Sequence, residues 1–366
     1  RRFAGSGDRR AIRDLVYRAI RSFGERPWSG REAFVGLAQQ DADLAALFTG
    51  GQFGPAPLDA GEPAAHASPM PSWLKSELSP LIGAEEQAAL LGRAGLDLRA
   101  NTLKTDRAAM LAVMEGAVAI PHSDAGLRIE EPRDISNTSE YRDGLIEVQD
   151  AGSQYISAAC KAAPGMTVVD LCAGAGGKTL ALAADMQGKG RLIACDAVRS
   201  RLSQLQPRAD RAGAGFIETL LIDGGRERQC LAGLRNAADV VLVDAPCSSA
   251  GTWRRNPEAR WRMTRDRLAA TARLQAELLR IGAELVRPGG ALVYAVCSVL
   301  TREGQDQIAA FLEDHHEWFA LDIDLPMGRA AGDGRRSVLQ QSDARRAPGR
   351  QCVGRGMRAA MRDADQ

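Results

Sequence analysis

The stretch TVVDLCAGAGGKTLALAADM, residues 167–186, reads as a buried strand, a glycine-rich turn and a helix. TVVDL is apolar without alternation, as a strand covered on both faces would be. In KTLALAADM the apolar residues recur at helical spacing. A strand, a tight turn and a helix in that order open a parallel α/β unit, and such sheets bind ligands outside the carboxyl ends of their strands.

Downstream the alternation repeats. RLIACD (191–196), ETLLID (218–223), DVVLVDAP (239–246) and ALVYAV (291–296) read as further strands. Between them lie a helical SRLSQLQPRADRAG that Pro207 is expected to kink or break, a short helix, a long helix over 264–286 and a turn at Pro288-Gly289-Gly290; a last helix is expected over 301–314. The pattern predicts a doubly wound, mostly parallel, Rossmann-like α/β domain over 151–330. Upstream, residues 1–50 read as helical, with Ile12, Leu15, Val16 and Ile20 on one face. A Gly/Pro/Ala-rich linker covers 51–71, and 72–150 mixes short helices with possible strands (LRANTL, GLRIEE, GLIEVQD) as a small α+β unit. Residues 331–366 hold no aromatic and no convincing strand, and are expected to form a poorly ordered tail. Arg1 stands where a methionine would, so an N-terminal piece is expected to be missing.

Seven cysteines without a CxxC pair argue for a reducing cytosol and against a disulfide framework or zinc ribbon. The four histidines have no metal-ligand spacing, and His315-His316 is expected to cap or decorate a helix end. No run is long enough for a membrane helix. A cytoplasmic protein is expected, without metal or membrane partner, and a monomer. The net charge of +1 does not announce a nucleic acid. Residues 252–267 do: six arginines stand against Glu258 and Asp266, interleaved with Trp253 and Trp261. Arginine forks hold phosphates and indoles stack on bases, so an RNA contact is expected here, with a solvated loop as the alternative.

The glycine turn has three readings. A phosphate loop needs a glycine where Cys172 stands; a dinucleotide fingerprint has Gly174 and Gly176 but Thr179 in third place. S-adenosylmethionine has no phosphate and asks for neither. Asp196, Asp223 and Asp244 follow the ends of three successive strands, where they can meet ribose hydroxyls, adenine and the reacting centre; each alone reads as a helix N-cap. Two thiols, Cys247 in DAPCSSAGT and Cys297 in VYAVCS, stand just past the ends of the fourth and fifth strands. A thiolate is a strong nucleophile, so covalent chemistry is expected, against the reading of small buried residues.

These residues resemble the RsmB/Nop/Sun family of RNA cytosine-C5 methyltransferases. VQDAGSQ (148–154), DLCAGAGGKT (170–179), Asp196, Asp223, DAPCSSAGTWRRNPEARW (244–261) and VYAVCS (293–298) carry the likeness, with LRANTLKTDR (98–107) similar to a motif of the small RNA-binding domain and residues 6–21 to the end of a NusB-related helical domain. Ala175 stands where the family usually has proline, and AVCS replaces a threonine–cysteine form. The resemblance implies S-adenosylmethionine as cofactor, held by Cys172, Ala173, Gly174, Ala175, Gly176, Gly177, Lys178, Asp196, Arg201, Asp223 and Asp244. It implies Cys297 as nucleophile toward cytosine C6, Cys247 in product release, Asp244 on the cytosine edge and Lys178 neutralising charge nearby. Small-subunit rRNA is the expected substrate. A tRNA, or a catalytically impaired RNA-binding relative, is the alternative, and DNA cytosine methyltransferases place their nucleophile where Cys247 stands.

Overall fold

The computed structural model describes residues 5–52, 54–131, 133–321 and 335–341. Two compact units emerge: Arg1–Ala94, Cys247–Thr271 and Cys297–Glu303 form one, and Gly95–Pro246, Ala272–Val296 and Gly304–Gln366 the other.

In the first unit the helix Ser6–Ser22 opens with the Gly5 amide donating to Asp8 Oδ2 at 2.9 Å, and the helix Gly30–Ala38 with the Glu32 amide donating to Ser29 Oγ at 3.0 Å. Such caps satisfy amides that a helix start leaves without partners. The helical stretch expected over 1–50 is divided into Ser6–Ser22, Gly30–Ala38 and Ala42–Ala45, and the first helix does not bury the expected face. Ile12 and Val16 are exposed, and the helix packs through Leu15 and Ala19 onto Phe23, Ala33 and Leu37. A second core joins Met70, Leu74 and Leu90 to Ala250, Trp253, Leu268, Val299 and Leu300, residues distant in sequence.

The second unit holds two sheets. The smaller is antiparallel: β1 (Leu96–Ala100), β2 (Ala117–Ala119), β3 (Gly126–Ile129) and β4 (Ile146–Val148), in the order β2-β3-β1-β4. Alternation along β1 puts Leu98 and Ala100 in an apolar core, while Asp97 and Arg99 are buried with polar partners: Arg128 on Asp97 at 2.6 Å and Arg99 on Gln149 at 2.7 Å. β2 was not read from the sequence.

The larger sheet contains β5 (Thr167–Asp170), β6 (Arg191–Asp196), β7 (Glu218–Leu221), β8 (Ala238–Asp244), β9 (Val286–Val296), β10 (Trp318–Leu321) and β11 (Arg335–Gln341), in the order β10-β11-β9-β8-β5-β6-β7. Strands β5 to β9 are parallel; β11 runs antiparallel between β9 and β10. The chain winds one way from β5 through β6 to β7 and the other way through β8 to β9. The order therefore reverses beside β5, where an open α/β sheet leaves its ligand crevice.

The helical stretch after β6 breaks as expected, at Ser203–Gln204, and Pro207 lies in the first turn of the second piece, Leu205–Ala212, where a missing amide costs nothing. Two expectations need correction. The turn at 288–290 is absorbed into β9 as an irregularity, Ala238 pairing with Val286 and Val240 with Ala291. The tail supplies a strand, β11, whose pairing on both sides sets Val338 opposite Val293 and Leu321. An inserted strand draws on backbone bonding, to which the aromatic count is no guide. The rest of the tail lies outside the described residues.

His315 follows the helix Gln305–Asp314 as expected, its Nδ1 2.9 Å from the Phe311 carbonyl oxygen. Among the described residues no helix is long and apolar enough to cross a membrane, and no cluster of His, Cys, Asp and Glu could hold a metal.

Candidate active site

In the second unit the loop after β5 turns sharply into the helix Gly177–Asp185. Gly174 and Gly176 take left-handed φ of 56° and 84°. A Cβ at Gly176 would meet Leu205 Cγ at 2.6 Å, whereas the Cβ positions at Gly174 and Gly177 open into free space. The buried Asp196, ending β6, accepts from the amides of Gly174 (2.8 Å) and Val198 (2.6 Å), so one carboxylate ties the loop to the next strand. Arg208 donates to the Ala175 carbonyl oxygen at 2.7 Å and to Glu147 at 2.8 Å, anchoring the loop to the edge strand β4.

A cleft of about 210 Å³ lies where the order of the sheet reverses, lined by Val148, Gln149, Asp150, Ser153, Asp170, Cys172, Ala173, Gly177, Lys178 and Asp244. Lys178 Nζ donates to Asp244 Oδ2 at 2.6 Å. Burial lifts the Asp170 carboxyl to about 7, and its Oδ2 accepts from the Thr179 hydroxyl at 2.7 Å. Of the residues expected to hold a cofactor, Cys172, Ala173, Gly177, Lys178 and Asp244 line the cleft. Arg201 and Asp223 are exposed after β6 and β7, outside it. Gln149, Asp150, Ser153 and Asp170 were assigned no role from sequence, although Gln149 to Ser153 belong to the quoted VQDAGSQ. A larger groove of about 580 Å³ runs along the helix Ser6–Ser22 in the first unit, but holds none of the expected residues. Chemistry, not volume, identifies the site.

The open glycine positions, the loop-bound carboxylate and the excess of carboxylates in the cleft suit a cationic sulfonium ligand with a ribose, and offer no phosphate cradle.

The two thiols belong to the first unit, each opening a segment of it. Cys247 Sγ and Cys297 Sγ stand 3.3 Å apart, and Cys297 Sγ lies 3.6 Å from Ser249 Oγ. A polar clamp holds their loops together. The buried Glu303 accepts from the Ser248 amide at 2.8 Å and from the Ser248 hydroxyl, Ser248 Oγ meets Ser298 Oγ at 3.2 Å, and the Gly251 amide donates to the Cys297 carbonyl oxygen at 3.0 Å. Ser249 has a φ of 58°, a conformation a serine holds only under constraint. The hydrogen bond between Cys247 and Cys297, and burial, push the Cys247 thiol well up from the ordinary value.

The arginine-rich segment departs from expectation. Trp253 is fully buried, so it cannot stack on a base. Arg260 is fully buried too, donating to the carbonyl oxygens of Pro69 (2.6 Å), Arg21 (2.8 Å) and Ile20, and Trp261 Nε1 donates to the Phe23 carbonyl oxygen at 2.8 Å. These three residues hold the first unit together. Arg255, Arg262, Arg265 and Arg267 remain exposed.

The family model of the 16S rRNA methyltransferases RsmB/F matches residues 158–350. Over 295 residues the chain is 30% identical to ribosomal RNA small subunit methyltransferase B of Sodalis glossinidius, covering 77% of this chain and 62% of that protein. Over 257 residues it is 34% identical to the probable ribosomal RNA small subunit methyltransferase B of Synechocystis, covering 68% and 57%. The chain thus spans about three-fifths of the length of these relatives. The crystal structure of a methyltransferase homolog protein from Pyrococcus horikoshii superposes with a TM-score of 0.61 at 25% identity, covering 72% of this chain and 92% of that one. The fold is that of the Rossmann-like methyltransferases, and S-adenosyl-L-methionine is the cofactor that goes with this fold and family. A family match that runs from the helix before β5 to beyond β11, over more than half of the chain, settles the assignment: the chain belongs to the 16S rRNA methyltransferase RsmB/F family.

Proposed function

We propose that this chain methylates C5 of a cytosine in RNA, in the first instance small-subunit ribosomal RNA, through a covalent adduct to Cys297. The observation that carries the reading is the pair of thiols 3.3 Å apart. The names of the relatives support ribosomal RNA as substrate.

Cytosine C5 is a poor nucleophile. A thiolate added to C6 makes the ring enamine-like, so that C5 can accept an electrophilic carbon. Bound S-adenosylmethionine supplies a methyl group activated by a sulfonium. Once C5 is methylated, a base takes its proton, the C6–S bond breaks, and the electron pairs restore the C5–C6 double bond and the thiolate. Either thiol of the pair can donate in their shared hydrogen bond; in the reading proposed here Cys247 keeps its proton. Cys297 is then the sulfur that gives up its proton, and the S–H of Cys247 steadies its thiolate. In release, the same S–H supports the departing sulfur. Asp244, oriented by Lys178, holds the cytosine edge. Arg255, Arg262, Arg265 and Arg267 take phosphates, together with the small antiparallel sheet as an RNA-binding unit.

The test uses denaturing gels with RNA and cofactor. Cys297→Ala should abolish methyl transfer and form no adduct while still binding cofactor. Cys247→Ala should form the adduct and resolve it slowly, giving a shifted protein–RNA band. An adduct from Cys297→Ala and none from Cys247→Ala would reverse the roles.

A further inference from the structure

Glu303 is fully buried, and enclosing a carboxylate costs free energy that only hydrogen bonds can offset. The turn that carries it is anchored in the first unit. The Glu303 amide donates to the Leu300 carbonyl oxygen at 3.3 Å, and the Ser79 amide to the Val299 carbonyl oxygen at 3.0 Å. Leu300 sits in the core with Leu74 and Trp253, and Arg302 donates to Glu77 at 3.0 Å. From this anchored turn Glu303 Oε1 takes the Ser248 amide at 2.8 Å and Oε2 takes the Ser248 hydroxyl. Ser248 Oγ in turn meets Ser298 Oγ at 3.2 Å, and the Leu300 amide donates to Ser298 Oγ at 3.2 Å. Ser248 directly follows Cys247 and Ser298 directly follows Cys297, so one carboxylate holds the two sulfur-bearing loops in register.

The hold is asymmetric. Glu303 grips the Cys247 loop at a backbone amide, and reaches the Cys297 loop through two hydroxyls in series. The sulfurs themselves share one hydrogen bond in which either can donate, so nothing in that contact alone decides which thiol ionises. A negative charge bonded to the amide beside Cys247 breaks the tie, because it disfavours a second negative charge next to it. We propose that Glu303 is the positioning residue of the thiol pair: it fixes the two loops through Ser248 and Ser298 and biases the shared proton toward Cys247, leaving Cys297 to attack. The forces on Cys247 agree. Its hydrogen bond with Cys297, burial and the charges of Cys297 and Glu303 all disfavour its thiolate, against a hydrogen bond from the Ser249 amide that favours it. The inference rests on the covalent reading for the meaning of the two roles, and its test reads ionisation without that reaction.

The experiment is limited alkylation of the full chain by iodoacetamide across a pH series, without RNA or cofactor, with the label at each cysteine counted by mass spectrometry. Both cysteines are partly exposed, and the rate at each follows its thiolate fraction. In the wild-type chain the labelling midpoint of Cys297 should lie below that of Cys247. Glu303→Gln keeps the shape of the side chain and an acceptor for the Ser248 amide but removes the charge. It should raise labelling of Cys247 relative to Cys297 by about tenfold or more, the scale of removing one neighbouring like charge. Glu303→Asp keeps the charge on a shorter arm, so it should restore the lead of Cys297 while lowering the melting midpoint. Unchanged relative rates in Glu303→Gln, or the same change in Glu303→Asp, would overturn the proposal. If Glu303→Gln fails to fold, the wild-type chain decides: a Cys247 midpoint at or below that of Cys297 overturns it too. The expected labelling in a chain that forms no adduct with RNA would count against the proposed reaction alone.

Discussion

Replacing Arg260 by alanine should destabilise the first unit and leave RNA binding by the folded chain intact. The guanidinium donates to three backbone carbonyl oxygens, those of Pro69, Arg21 and Ile20, and none of its surface is exposed. Hydrogen bonds from a charged donor contribute about 1.5–3 kcal/mol each, so the three sum to roughly 5–9 kcal/mol before desolvation is counted. Desolvation is substantial, since burial pulls the guanidinium pKa down to about 10. Removing one partner of a buried charged contact typically costs about 3–5 kcal/mol net, the range expected here. At about 3 °C per kcal/mol for a domain of this size, the melting midpoint should fall by roughly 10 °C. Circular dichroism melts of Arg260→Ala beside Arg255→Ala would read this out, with the salt dependence of RNA affinity measured below both midpoints. Arg255→Ala should move its midpoint far less than Arg260→Ala and lower the logarithmic salt slope by about 0.9, one phosphate contact. An unchanged midpoint with a flattened slope for Arg260→Ala would refute the structural role and return this residue to the RNA surface.

Three further outcomes are expected. Burial raises the carboxyls of Asp170 to about 7 and Asp185 to about 6, so both favour the folded state while protonated. Their contribution is complete below the unfolded value of 3.8 and is lost as pH rises through 6 to 7. Ligand-free melting midpoints should therefore show a falling component over that range, and Asp170→Asn should reduce it; an identical profile in the variant would count against the assignment. Gly176→Ala forces a left-handed alanine with its Cβ 2.6 Å from Leu205 Cγ, so it should lower both stability and S-adenosylhomocysteine affinity, by calorimetry. Val338→Pro removes an amide from a strand paired on both sides and should cost about 1–3 kcal/mol in urea unfolding; no loss would mean that β11 contributes little.

Much of the catalytic sheet was legible because its strands are apolar runs closed by turn residues. RLIACD coincides with β6, and DVVLVDAP misses β8 by one residue at its start and two at its end. The signal failed where backbone pairing rather than side-chain pattern decides. At β9 an irregularity hides Pro288-Gly289-Gly290 inside a strand, and β11 is inserted between two others without an aromatic in its sequence. It also failed where one composition serves two purposes. Arginines interleaved with tryptophans look alike whether they face a phosphate or, as Trp253 and Arg260 do, fill a core. Cys247, Cys297, Lys178 and Asp244 could be named from their places after strand and loop, but that Gln149 Nε2 and Asp170 Oδ1 are left without partners depends on tertiary neighbours. No local pattern records that.

The first unit is assembled from three pieces of chain, and this bears on its synthesis. Met70, Leu74 and Leu90 find their core partners Trp253, Leu268 and Leu300 only after about 200 more residues have been made, a delay of roughly 10–40 s at ordinary elongation rates. Through that interval the segment that carries Met70, Leu74 and Leu90 lacks its core partners, while the parallel strands are made behind it. The paired thiols come together last. Glu303, whose carboxylate closes the clamp on Ser248, is the final residue of the unit to be translated, so the loops that carry the two thiols are joined only after strands β5 to β9 have been made.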